Sequence, residues 1–318
     1  MKVLVTGVGG QLGYDVSCEL AKRGHTVIGT DVLDVAAPYS SIGQETPEVK
    51  LTYEKLDITD ESAVMKLFLD LCPDAVIHCA AWTAVDAAED PANFEKVRAV
   101  NDDGTRYIAT AAKIVDAKMV YISTDYVFDG TGTEPWTPDC KDYNPINNYG
   151  MSKLHGELAV FGKMEKFFIV RIAWVFGLNG NNFVKTMLRV GKTHKQLRVV
   201  NDQVGTPTYT FDLARLLVDM VESEKYGYYH ATNEGGYISW YEFATEIFRQ
   251  AALKWPEAGY DEVSVSPVTT EEYGLSAAAR PFNSRLDKSK LDDAGFERLP
   301  AWQDALARYL DQIDWDSI

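Results

Sequence analysis

The strongest constraint on this chain is a glycine-rich joint near its start. An apolar run from Val3 to Thr6 leads straight into Gly7-Val8-Gly9-Gly10-Gln11-Leu12-Gly13. Leu12, Val16 and Leu20 then form one face of a helix that stops near Gly24. A second strand pattern runs from Thr26 to Asp31. Strand, tight glycine turn, helix and strand in succession make a parallel β-α-β unit, because parallel strands need a crossover connection. Asp74 to Ala80, Lys118 to Thr124 and Phe167 to Ala173 are further apolar runs separated by helical stretches. The spacing predicts an α/β fold, a doubly wound Rossmann-type parallel sheet covered by helices on both faces.

After about Val175 the texture changes. Phe183 to Val190, Phe211 to Val221 and Trp240 to Ala251 all have helical spacing, and Ser239 with Glu242 fits a capping box. Ala301 to Ile313 reads as a last amphipathic helix. We therefore expect a dinucleotide-binding domain over residues 1–175 and a smaller, mostly helical substrate lobe over 176–318. The polar stretch from Leu33 to Lys50 reads as a long surface connection. With 318 residues, 46% of them hydrophobic, the chain can bury a large core, which excludes wholesale disorder.

Charge and cysteine content narrow the function classes. The net charge of −16 argues against non-specific nucleic-acid binding, which needs a basic face, although backbone N–H groups and a few Arg or Lys can still gather a small anion. Cys18, Cys72, Cys79 and Cys140 include no C-x-x-C pair, so neither a structural zinc site nor a disulfide framework is expected. No apolar run reaches the roughly 18 residues of a membrane-spanning helix, and Met1 opens directly on a strand without a charged leader. A cytoplasmic protein with reduced thiols, no resident metal and no membrane partner is expected.

The glycine joint suggests chemistry beyond a plain turn. Gly7 and Gly10 let the backbone approach a pyrophosphate, and the helix N-terminus supplies free N–H donors. Asp31 ends the second strand about 20 residues past the joint, where a carboxylate can bind a ribose 2′-OH. Its charge would disfavour a 2′-phosphate, which leans slightly toward NADH. The plainer reading of Asp31 is a turn aspartate.

Tyr149-Gly150-Met151-Ser152-Lys153 is the only Tyr-x-x-x-Lys in the sequence, and its spacing puts both side chains on one helix face. The pair follows Ser123-Thr124, at the carboxyl end of an apolar strand, by about 25 residues. Ligand chemistry in open α/β sheets occurs at such strand ends. A phenol titrates near roughly 10, and a neighbouring ammonium favours its ionised form, so Lys153 is expected to lower the pKa of Tyr149. Tyr149 can donate a proton to a carbonyl oxygen as hydride reaches the carbon, and Thr124 can hold that oxygen.

Together the glycine joint, His78-Cys79-Ala80-Ala81, Thr124 and Tyr149/Lys153 resemble an extended short-chain dehydrogenase/reductase. More narrowly, the chain resembles the dTDP-4-dehydrorhamnose reductase family over nearly its whole length. The strings that carry this are Gly10 to Gly13, Ala80 to Asp86, Ser123 to Gly130, Arg171 to Gly177, Asn181-Asn182-Phe183, Asn201 to Thr208 and Arg280 to Ser284. The resemblance implies that Gln11 and Leu12 offer N–H groups to the pyrophosphate. By the same resemblance Asp57 and Ile58 flank the adenine, and Cys79, Ala80 and Ala81 line the dinucleotide. Lys153 would also reach the nicotinamide ribose. Thr124 and Asp125 would contact the sugar and Trp174 would pack on it. Arg280, with Asn182 and Phe183, would grip the nucleotide diphosphate and base. Gln203 is expected on the substrate side.

The sequence departs from the family at His78, where Asn is usual, and at Trp82, where His or Tyr is common. Related 4,6-dehydratases carry Thr-Asp-Glu, whereas this chain has Thr124-Asp125-Tyr126, so the elimination base is missing and simple ketone reduction is expected. The implied activity is NADPH- or NADH-dependent reduction of the 4-keto group of dTDP-6-deoxy-L-lyxo-4-hexulose. Two alternatives stand beside it. One is a non-catalytic regulatory subunit like that of methionine adenosyltransferase, and the other is a reductase of another nucleotide-linked keto sugar. A homodimer is compatible with the sequence.

Overall fold

The computed structural model describes residues 1–33 and 51–313, so beyond Leu33 the expected surface connection lies outside the described residues. Seven strands form the central sheet. They are β1 (Lys2–Thr6), β2 (Thr26–Asp31), β3 (Leu51–Lys55), β4 (Ala75–His78), β5 (Lys118–Thr124), β6 (Phe167–Ile172) and β7 (Gly227–His230). Their order is β7-β6-β5-β4-β1-β2-β3, and every pairing is parallel. The order reverses between β1 and β4, where Val5 pairs with Ile77 and Thr6 with His78. A crevice opens at that switch point, above the carboxyl ends of the strands.

The larger helices are α1 (Gln11–Lys22), α2 (Glu61–Leu71), α3 (Thr105–Ile114), α4 (Asn148–Lys163), α5 (Phe183–Thr193), α6 (Thr210–Glu222), α7 (Trp240–Lys254) and α8 (Trp302–Gln312). Alternation along each strand decides which helices it meets. Val3, Val5, Ile77, Val120 and Phe168 pack against Leu12, Val16 and Leu20 of α1 and Leu213, Leu217 and Val221 of α6. Leu4, Val76, Met119, Tyr121 and Ile169 face the other way, onto Val64 and Phe68 of α2, Ile108 and Ala112 of α3, and Val160 of α4. Each such fully buried side chain contributes roughly 1.5–3 kcal/mol through water exclusion, so both layers are held firmly on the sheet.

The remaining helices build a lobe with its own core, formed by Phe176, Val184, Leu188, Phe243, Ile247, Trp302 and Tyr309 among others. Ser239 and Glu242 make a complete reciprocal capping box at the start of α7. The expected division at residue 175 does not separate the layers cleanly. After building α5 in the lobe the chain returns to the sheet, laying α6 against α1 and adding β7 at the edge beside β6. An apolar helix and strand that complete the sheet's own core belong with it, whatever their place in the sequence.

Candidate active site

The crevice holds a cavity of about 870 Å³ that runs from the glycine joint past β5 and α4 to the lobe. Its first wall is main chain. Gly7 adopts φ +70°, and a Cβ there would lie 2.7 Å from the Ala80 nitrogen. A Cβ on Gly13 would lie 2.2 Å from the Gly7 oxygen. Only glycine permits this packing of joint, helix and β4. Gly10 caps α1 without any side-chain acceptor, so the first-turn N–H groups of Gln11 and Leu12 are left for an external acceptor. That cradle, with a helix dipole behind it, fits the pyrophosphate of a dinucleotide. Asp31 braces the joint by accepting from the Gly9 N–H at 2.9 Å and from the Val32 N–H at 2.8 Å, and it also lines the cavity. Asp57, Ile58, Cys79, Ala80 and Ala81 line the same end.

His78 stands just behind this wall. It is buried, hydrogen-bonded to Thr6 Oγ1 at 2.7 Å and Thr105 Oγ1 at 3.1 Å, and stacked on Tyr121. Burial, with the nearby Lys153 charge, pushes its pKa down to about 3, so it is neutral. The neighbouring Cys79 thiol is pushed up to about 12 by burial and is inert as a nucleophile at neutral pH.

The second wall is made of side chains. Asn147 caps α4, its Oδ1 accepting from the Gly150 N–H at 2.7 Å, and the helix then presents Tyr149 and Lys153 to the cavity one turn apart. Opposite them, the end of β5 supplies Ser123 and Thr124, and the turn that follows supplies Asp125. The Ser123 hydroxyl is buried without a hydrogen-bond partner, which marks a polar atom available to a ligand. Thr124 donates to Asp125 Oδ1 at 2.9 Å. Burial pushes the Asp125 carboxyl up to about 6, against the hydrogen bonds of Ser284 and Thr124. Tyr126, at the position of the dehydratase glutamate, meets the Tyr149 ring edge-on at 5.7 Å.

The electrostatics differ from the sequence expectation. The Tyr149 phenol is not lowered. Burial first and the Asp125 charge second push it well above its usual value, and a hydrogen bond with Thr124 pulls only weakly the other way. Lys153 is 3% exposed, with its ammonium 4.2 Å from the centre of the Tyr121 ring. Burial pushes it down to about 7, although Glu157 one turn further along α4 favours its charge. A phenol held protonated can act as an acid, whereas the lysine gives up part of its charge because desolvation outweighs its partners.

On the lobe side, Trp174 adopts φ +52°, a left-handed conformation that costs a non-glycine residue of order 1–3 kcal/mol. Packing holds it there. Its ring stacks on Trp240 at 3.8 Å, and Gly205 leaves it room, since a Cβ at 205 would lie 3.1 Å from the indole. Trp174, Trp240 and Phe183 form an aromatic patch on the cavity. Arg280 also lines the cavity, with its two terminal guanidinium nitrogens donating to Asp86 at 3.0 and 2.6 Å.

Two expected residues are not brought to the cavity. Gln203 is buried and donates to Thr270 Oγ1 at 2.9 Å. Asn182 caps α5, and its amide nitrogen lies within hydrogen-bond distance of Gln11 Oε1, the Gly177 oxygen and Tyr309 Oη. Both side chains are used in holding the lobe together. Conversely, Trp240 and Asn181 line the cavity without having been expected there. Trp240 begins a helix far along the chain from Trp174, and no local spacing joins the two. Among the described residues no cluster of three His, Cys, Asp or Glu side chains could hold a metal, and no helix is long and apolar enough to cross a membrane.

A parallel sheet with a glycine cradle at its switch point and a Tyr/Lys pair facing it defines a Rossmann-type oxidoreductase site. Comparison with known proteins then narrows the class. Residues 1–315 match the family described as RmlD substrate binding domain, and the chain belongs to that family. Among its relatives, the spore coat polysaccharide biosynthesis protein SpsK of Bacillus subtilis is 38% identical over 98% of this chain and 97% of its own length. The dTDP-4-dehydrorhamnose reductase of Aggregatibacter actinomycetemcomitans is 35% identical over 96% of this chain and 97% of its own. A crystal structure of a dTDP-4-dehydrorhamnose reductase from Clostridium acetobutylicum superposes with a TM-score of 0.85 at 41% identity, covering 98% of this chain and 99% of that one. The Bacillus anthracis reductase, crystallised with NADP, gives 0.84 at 38% identity, covering 98% of this chain and all of its own.

Proposed function

We propose that this chain is an NAD(P)H-dependent oxidoreductase that reduces the 4-keto group of dTDP-4-dehydrorhamnose to give dTDP-L-rhamnose. The observation that carries the reading is the convergence of the glycine cradle, Thr124, Tyr149 and Lys153 on one cavity, in a chain of this family. Gln11 and Leu12 hold the pyrophosphate through their N–H groups, and Asp31 takes the adenosine ribose, with Asp57 and Ile58 beside the adenine. When bound, the reduced dinucleotide supplies hydride to the sugar's C4. NADPH and NADH are both accepted in this reading.

The protein's own residues do the rest. Tyr149 gives its proton to the ketone oxygen, and its raised pKa keeps that proton in place until charge develops there. Thr124 orients the same oxygen, and Lys153 steadies the phenolate that is left. Trp174 and Phe183 pack the sugar and base, and Arg280 turns from Asp86 toward the diphosphate, which suits its planar fork. Binding the remote nucleotide holds C4 where reaction occurs, so positioning lowers the barrier. Tyr126 provides no carboxylate for dehydration. The four free thiols suit a reducing compartment, and we place the chain in the cytoplasm.

The test is a reaction of the keto sugar with purified protein and NADPH or NADH in separate runs, with product identified by NMR. Stoichiometric oxidation of the dinucleotide and formation of dTDP-L-rhamnose are expected. No oxidation with either dinucleotide would remove this reading. A purely regulatory subunit would give that result and would instead retain a partner enzyme on a column.

A further inference from the structure

The Gln11 backbone belongs to the glycine cradle, but its side chain turns toward the lobe. Its Oε1 accepts from Asn182 Nδ2 at 3.0 Å, and its Nε2 makes a longer bond to the Asn181 carbonyl oxygen at 3.4 Å. The turn it meets packs against it. A Cβ on Gly177 would lie 3.1 Å from Gln11 Cβ, and one on Gly180 would lie 3.8 Å from Gln11 Cγ. A second tie runs alongside, because buried Thr210 donates to Asp15 of α1 at 2.5 Å and also contacts the Phe176 carbonyl oxygen at 3.3 Å. Between these ties the segment from 174 to 183 carries Trp174, Val175, Gly180, Asn181 and Phe183 to the cavity. Asn182 is the N-cap of α5, and Phe183 is that helix's first residue. The phosphate loop and the aromatic patch are thus joined directly through the Gln11 side chain, with the Asp15–Thr210 bond as a second tie further along α1.

We infer that Gln11 is a positioning residue that couples the two ligands. Its backbone N–H with that of Leu12 serves the dinucleotide, while its side chain ties the cradle to the 177–183 turn, which Lys185 and Tyr309 hold from the lobe side and which shapes the nucleotide-sugar side. The inference rests on the reading of the cavity as a dinucleotide and nucleotide-sugar site. A ligand that orders the loop also orders the turn, so the second ligand meets a wall already in place. Such coupling is reciprocal, with each ligand tightening the other by the same factor.

The tie can be cut without orphaning its partner. Asn182 Nδ2 has two hydrogens and three acceptors within 3.0 Å, so Gly177 O and Tyr309 Oη still satisfy it when Gln11 is gone. Gln11→Met keeps the length of the side chain and removes both hydrogen bonds. The experiment measures the Kd of dTDP by calorimetry on the full chain with and without saturating NADP⁺, and the Kd of NADP⁺ with and without dTDP. In the wild type both ratios should be equal and at least about fivefold. In Gln11→Met, with its thermal midpoint checked, both ratios should fall to within about twofold of one, and KM for the keto sugar should rise more than kcat falls. A wild-type ratio of one, or an undiminished ratio in Gln11→Met, overturns the coupling. Should the wild type couple its ligands but reduce no keto sugar, the coupling stands and the assigned reaction falls.

Discussion

Along β1 and β2 the cavity is bounded by backbone, and along β5 and α4 it is bounded by side chains. Gly7, Gly10 and Gly13 hold no functional group, and their contribution is the absence of a Cβ where joint, helix and β4 nearly touch. Tyr149, Lys153, Thr124 and Asp125 present functional groups whose properties depend on everything packed around them. The first wall depends on steric fit, and the second is governed by solvation. Damage to the first should appear as lost binding, and damage to the second as lost chemistry or a changed pH response.

The largest effect expected is on the side-chain wall. Tyr149→Phe should lower kcat by about 10²–10⁴, the range for a lost general acid, while dinucleotide affinity moves far less; steady-state kinetics and a binding titration separate the two. Equal losses in both would erase the contrast between the walls. Next is the anchor of α4. Glu157 and Arg171 form a fully buried bidentate pair, with both bonds at 2.8 Å. Glu157→Ala leaves Arg171 buried and unpaired and should cost about 3–5 kcal/mol in urea unfolding. A loss below about 1 kcal/mol would show that the pair does not hold the helix.

On the backbone wall, Gly13→Ala forces a methyl group to 2.2 Å from the Gly7 oxygen. Overpacking of this kind costs roughly 1–3 kcal/mol, and dinucleotide affinity should fall more than tenfold because the cradle must open. Unchanged affinity by fluorescence titration would mean that the joint does not hold the pyrophosphate.

The most gradual effect concerns pH. Burial pushes Lys153 down to about 7 in the folded protein against an ordinary value of 10.5. Between these values the unfolded chain holds a proton that the folded chain has released, so stability rises with pH through this window. Relative to Lys153→Met, the wild type should gain about 1.4 kcal/mol per pH unit above neutrality, and the gain should stop as pH passes the unfolded value. A flat difference from pH 7 to 10 would show that burial does not lower this lysine.

The sequence was most informative where geometry demands one residue type. The glycine joint, the strand ends and the Tyr149/Lys153 spacing need only periodicity and steric reasoning, and the parallel sheet followed from the same alternation. It was least informative where contacts span the chain. Nothing near Trp240 indicates that it stacks on Trp174, and nothing near Arg280 indicates that Asp86 fills its fork. Asn182 and Gln203 have ligand-like side chains, yet a helix cap and a loop bond use them. The direction of the Tyr149 shift was also hidden, since charge pairing is visible in a motif and desolvation is not. The return of α6 and β7 to the sheet was missed because a helical texture does not reveal which core the helix completes.

The account depends on the Tyr149 hydroxyl and the hydride donor reaching the same carbonyl. A crystal structure with NADP⁺ and dTDP-L-rhamnose tests this most directly. Tyr149 Oη should lie about 2.6–3.2 Å from the sugar's O4, with the nicotinamide ring against its C4. A sugar bound with O4 toward Trp174 and beyond the reach of Tyr149 would contradict it.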